Sequence, residues 1–131
     1  SWMEQLRCIF LDREDPRQSM DSLKQAQELL KQGYSVVIFP EGTRNNGKEL
    51  GEFKAGAIRI ATRTGVPIVP VCIEGSCRLM GKGSLWIHPA KVTIKILPAV
   101  QTEGLSREQI KALPEQLREQ IDTQLRTMRN E

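Results

Sequence analysis

The chain has 131 residues, 39% of them apolar, which is material for one domain with its own core, while 5% aromatic content argues against a stacking platform for single-stranded nucleic acid. The net charge of +3 arises in residues 1–100, with 14 Lys and Arg against 10 Asp and Glu, whereas 101–131 hold 5 against 6; that suits a small anionic ligand or an acidic membrane surface better than duplex DNA. Cys8, Cys72 and Cys77 form no paired spacing and His88 is the single histidine, so the cysteines read as reduced thiols and not as a disulfide framework or metal site.

In chain order, Cys8–Leu11 is a short apolar run, read as a strand, that stops at Asp12-Arg13. Asp15-Pro16 reads as a turn, and a helix is predicted from near Ser19 or Asp21. Leu23, Ala26, Leu29 and Leu30 fall on one face of it and Gly33 stops it. Ser35–Phe39 is β-branched and too short for a helix, which predicts a strand buried on both faces. Asn45-Asn46-Gly47 signals a turn. A helix follows from about Phe53 to Thr64, with Phe53, Ala57, Ile60 and Ala61 inward and Gly65 closing it. Val66–Ile73 and Lys91–Leu97 are the next strands. Ser106-x-x-Gln109 forms a capping box, and Pro114 fits the first turn of a second helical segment carrying Leu117, Ile121, Leu125 and Met128. The β-α-β-α-β order predicts a single α/β domain over 1–131, a largely parallel or mixed sheet flanked by helices, with a C-terminal helical segment over 105–131. No run of apolar residues approaches the roughly 20 that a membrane-crossing helix needs, and nothing resembles a signal peptide.

Ligands of open α/β sheets bind beyond the carboxyl ends of the strands. Here those ends carry Asp12-Arg13 and Glu41-Gly42-Thr43-Arg44, with Lys54 in the first turn of the next helix. If the first two strands are parallel, Arg13 and Arg44 emerge at one edge. With Lys54 they would form a three-cation pocket for a phosphate, the arginines as planar forks and the lysine as a mobile point charge. Singly, each feature has an ordinary structural reading. Asp-Arg is a surface turn, Gly42 serves a sharp bend, Lys54 is solvated, and Val66–Val71 is a strand with its prolines at non-bonding or edge positions.

Together the blocks mean more. "IFPEGTR" at Ile38–Arg44, "FKAGA" nine residues after Arg44, "GVPIVPV" at Gly65–Val71 and the upstream "IFLDR" at Ile9–Arg13 closely resemble the glycerolipid acyltransferase family, whose best-known members are 1-acylglycerol-3-phosphate acyltransferases. The resemblance covers about residues 2–100. It implies a glycerol-3-phosphate acyltransferase-like fold and transfer of a fatty acyl group from acyl-CoA or acyl-ACP to the hydroxyl of lysophosphatidate or a related lysophospholipid. Lysophosphatidate as acceptor gives phosphatidate. Carried over residue by residue, Arg13, Arg44 and Lys54 would hold the acceptor phosphate. Glu41, Gly42 and Thr43 would shape its site, and Pro67–Val71 would support the pocket near the acyl donor. No metal and no cofactor beyond the thioester co-substrate is implied. Attachment to the cytoplasmic face of a membrane is implied, and nucleic acid is not a partner.

One departure stands out. The family uses an Asn-His-x-x-x-x-Asp block, with the His as general base, and the chain has no His-x-x-x-x-Asp. His88 is followed by Pro89-Ala90-Lys91-Val92 and reads as a loop residue leading into a strand. In the family the block lies upstream of the first matched block, so the chain is expected to be a C-terminal portion, truncated at its N-terminus, with the acceptor site but without the catalytic base. It is not expected to turn over on its own. Such a portion should be poorly stable or self-associating, whereas a self-contained, non-catalytic anionic-lipid or phosphate-binding module, the alternative, should be a well-behaved monomer. The third possibility is a generic α/β domain whose three cations are surface residues.

Overall fold

The computed structural model describes residues 5, 16–43, 45, 47–80 and 83–131. The first helix, α1, spans Pro16–Lys31, starting earlier than the apolar spacing predicts. Proline suits the first helical position because its missing N–H would have no intrahelical partner there. The helix ends at Gly33, with φ 90°. There the Gly33 N–H bonds Leu30 O at 3.0 Å and the Tyr34 N–H bonds Leu29 O at 3.0 Å. This pair of bonds satisfies two otherwise orphaned carbonyls and needs the left-handed backbone that glycine supplies.

Helix α2, Ala55–Thr64, packs against α1, with Gly56 facing Leu23. A short strand β1, Val71–Glu74, leads into the one-turn helix α3, Ser76–Leu79, and β2 is Thr93–Ile96. The chain ends in α4, Arg107–Arg129.

β1 and β2 pair antiparallel, with Val71 opposite Ile96 and Ile73 opposite Ile94. The pairing continues upstream as an isolated bridge, Ile68 to Val100, closed by bonds of 2.9 and 2.7 Å. Pro67 and Pro70 explain why the long strand predicted over Val66–Ile73 is regular only from Val71. Neither has an N–H to donate, although the Pro70 carbonyl still accepts from the Leu97 N–H at 2.9 Å.

The core lies between this ladder, α2 and α4. Phe53 and Ile58 meet Leu113 and Leu117, while Cys72 and Leu97 meet Leu125 and Met128, and Leu50 and Ile121 touch both groups. The apolar stripe read from the sequence of the last segment therefore faces the sheet.

Two expectations are corrected. Ser35–Phe39 sits in no ladder among the described residues, and Val37 and Phe39 are 83% and 74% exposed. A strand buried on both faces needs neighbours on its edges and layers above and below it. The anticipated neighbour, Cys8–Leu11, lies outside the described residues. Likewise, the ladder seen among the described residues is antiparallel, and the parallel pairing was to have run through those same upstream residues. The second correction is at Pro114, which lies inside α4 and does not open a separate helix.

Candidate functional site

The polar block that follows Phe39 folds into a loop closed at its base. The Lys54 N–H donates to Pro40 O at 2.9 Å and the Gly42 N–H to Phe39 O at 3.0 Å. Gly42 has φ 66° and open space where a Cβ would project, so the residue is required there by backbone conformation and not by crowding. Inside the loop, the Glu41 carboxylate accepts from the Gly51 N–H at 2.7 Å and from Asn45 Nδ2 at 3.0 Å, both at Oε2. Asn45 Oδ1 in turn accepts from the Gly47 N–H at 2.8 Å, the local turn that asparagine forms readily. Gly47 packs so closely on Cys77 of α3 that a Cβ would collide with Sγ. Arg129, at the end of α4, donates to Lys48 O at 2.9 Å. The middle of the loop is thus tied to the body of the domain at Gly47 and Lys48.

Lys54 is exposed and stands just ahead of the helix instead of in its first turn. It is the N-cap of α2, with extended backbone at φ −68° and ψ 123° and no side-chain cap. A residue at that position has left the helix while its side chain remains beside the free N–H groups of the first turn. Thr43 is exposed on the same loop. Arg13 and Arg44 lie outside the described residues, so of the three cations Lys54 alone is placed. Pro67–Val71 runs along the ladder edge, with Pro70 buried and Val69 and Val71 about half-exposed. His88 is an exposed loop residue before β2, its N–H bonded to Leu79 O at 2.8 Å, as its setting in the sequence predicts.

Sequence reasoning missed Asn45 and Gly51 as the partners of Glu41. Asn45-Asn46-Gly47 carried a turn signal, but a carboxylate bonded to a backbone amide ten residues away leaves no pattern to read. A shallow groove of about 440 Å³ runs between Leu97 and the polar side of α4, lined among others by Gln116, Gln120, Thr123 and Gln124. It includes none of the motif residues. Among the described residues no group of three or more His, Cys, Asp or Glu could hold a metal, and no helix is long and apolar enough to cross a membrane.

The loop and everything upstream of it fall within residues 1–74, the stretch matched by the family model described as Acyltransferase. The chain belongs to the acyltransferase family. This is the family that the Ile9–Arg13, Ile38–Arg44, Phe53–Ala57 and Gly65–Val71 blocks resemble.

Among similar acyltransferases, a chloroplastic 1-acyl-sn-glycerol-3-phosphate acyltransferase of Brassica napus is 48% identical over 82 residues, covering 63% of this chain and 24% of the relative. The alpha form of the mouse 1-acyl-sn-glycerol-3-phosphate acyltransferase is 33% identical over 117 residues, 88% of this chain and 41% of that one. The crystal structure of the 1-acyl-sn-glycerophosphate acyltransferase PlsC from Thermotoga maritima superimposes with a TM-score of 0.85 at 32% identity, over 99% of this chain and 51% of PlsC. The chain therefore has the fold of the corresponding part of that acyltransferase. It spans about half of the solved relative and 24% and 41% of the two curated ones.

Proposed function

We propose that these residues form the acceptor-binding part of an enzyme that moves a fatty acyl group from a thioester to the hydroxyl of lysophosphatidate, giving phosphatidate. The observation that carries the reading is the family match across residues 1–74. That stretch contains the closed loop and Lys54, and similar proteins carry the 1-acyl-sn-glycerol-3-phosphate acyltransferase name.

In this reading Lys54 joins Arg13 and Arg44 around the acceptor phosphate. The side chain at an N-cap can reach the same anion that the free N–H groups of α2 favour. The phosphate holds the acceptor while its hydroxyl oxygen attacks the thioester carbonyl. A C–O bond forms and the C–S bond breaks. The proton leaves the hydroxyl for a general base and ends on the departing thiolate of coenzyme A or of acyl carrier protein. The base is assigned to the His-x-x-x-x-Asp block that the family resemblance calls for, since His88 is exposed in a loop and followed by no such aspartate. A lipid acceptor implies work at a membrane surface, on the cytoplasmic face.

The test is formation of phosphatidate from lysophosphatidate with acyl-CoA and, separately, acyl-ACP, in membranes from cells producing the complete protein, upstream residues included. Arg44→Ala should lower kcat/KM for the acceptor by about tenfold or more, the order expected for one lost charge-assisted phosphate contact. An unchanged kcat/KM removes Arg44 from the site. Saturable binding of lysophosphatidate with no phosphatidate from either donor would replace this reading with that of an anionic-lipid-binding module.

A further inference from the structure

Glu41 is the one acidic residue in the Pro40–Arg44 motif, and its presence beside a phosphate site is a physical puzzle. A carboxylate facing a phosphate repels it, by an amount that grows as water is excluded. The structure offers another use for the charge. Oε2 takes two hydrogen bonds from inside the loop, the Gly51 N–H at 2.7 Å and Asn45 Nδ2 at 3.0 Å, and Oε1 lies 3.3 Å from the same Asn45 nitrogen. Gly51 also fits this role sterically, because a Cβ there would come within 3.3 Å of Oε2.

We infer that Glu41 is a positioning residue whose carboxylate latches residue 51 and Asn45 to the head of the loop, and that it holds Thr43 in place without touching the acceptor. The inference rests on the proposed acceptor site for its functional consequence, and on the hydrogen bonds alone for its structural one. With the base of the loop closed by Lys54 N–H to Pro40 O, the latch adds a second tie one residue further in. The described start of that loop, Glu41–Thr43, is thereby anchored on both sides of Gly42. Ordering the loop in advance spares the ligand the entropy of ordering it on binding. Loss of the latch should therefore appear in acceptor KM before it appears in kcat.

The same geometry supplies a discriminating variant. Because both strong bonds converge on one oxygen, a glutamine can reproduce them with its single carbonyl oxygen, whereas alanine cannot. The experiment compares Glu41→Ala and Glu41→Gln in the complete protein by two readouts. One is hydrogen exchange of the peptide carrying the Gly51 amide, and the other is the steady-state kinetics of lysophosphatidate acylation.

Glu41→Ala should speed exchange at Gly51 about five- to tenfold, the scale of one hydrogen bond, and raise acceptor KM about tenfold. Glu41→Gln should stay within about threefold of the parent on both, the difference reflecting a neutral in place of a charge-assisted acceptor. The inference is overturned if Glu41→Ala leaves Gly51 exchange unchanged. It is also overturned if Glu41→Gln keeps the parent's exchange yet raises acceptor KM as much as alanine does, which would put the carboxylate on the substrate. Absence of any acyl transfer by the parent would instead defeat the proposed function, while the exchange data would still decide the latch.

Discussion

Cys72 and Cys77 are five residues apart in the sequence, yet their side chains meet different surroundings. Cys72 is fully buried against Leu97, Leu125 and Met128, and burial pushes its thiol pKa up, only partly countered by the charge of Lys95. Cys77 is half-buried at the start of α3, beside Gly47. The thiolate is the reactive species, so at pH 8 iodoacetamide should label Cys77 at least about tenfold faster than Cys72 in the native protein, read by peptide mass spectrometry. Equal rates that match those in urea would mean that Cys72 is not buried. Composition identifies both residues as free thiols, but it contains nothing that orders them. The same contrast holds in the loop. Glu41, Gly42 and Thr43 stand out in the sequence as polar residues at the end of an apolar run. What Glu41 binds depends on how residues 45 and 51 return to it.

At the level of elements, local signals succeed where both partners lie within one turn. Ser106 Oγ accepts from the Gln109 N–H at 3.2 Å and Gln109 Oε1 accepts from the Ser106 N–H at 2.8 Å, the reciprocal pair that the Ser-x-x-Gln spacing predicts. Ser106→Ala should lower stability by about 1 kcal/mol, seen as a lower midpoint in thermal or urea unfolding. No change would show that the cap is redundant. Pro114 misleads for a related reason. Its ring removes one helix hydrogen bond, which locally favours a break. Yet Leu113 and Leu117 on either side are buried against Phe53 and Ile58, and that burial keeps α4 continuous. At Pro67 and Pro70 the missing donors interrupt the ladder, so that only the Ile68–Val100 bridge forms upstream and the strand shortens to Val71–Glu74.

Across the whole molecule, the two faces of the β1–β2 ladder are unlike. One carries Cys72 into the core beneath α4. The other presents Val71, Ile73, Ile94 and Ile96 at 44%, 42%, 61% and 69% exposure, with Val71 paired to Ile96 and Ile73 to Ile94. A contiguous apolar face of this kind promotes association. A sample of these 131 residues should show concentration-dependent association in sedimentation velocity, and the double change Ile94→Thr with Ile96→Thr should shift it toward monomer. A parent that stays monomeric at high concentration would defeat that expectation and return the self-contained module to consideration.

The sequence by itself determined the family, the positions of the three longer helices within a few residues, the capping box, and the identity of the polar block after Phe39. Each of these depends on residues close together in the chain, or on motifs whose spacing survives in the linear order. Only the tertiary structure decided that Lys54 caps α2 instead of lying within it, that Glu41 is spent on Gly51 and Asn45, and that Val37 and Phe39 lie exposed. It also decided that the ladder formed by β1 and β2 is antiparallel with one bare apolar face. These depend on which distant segments come together, and an apolar strand reads the same in sequence whether or not anything covers it.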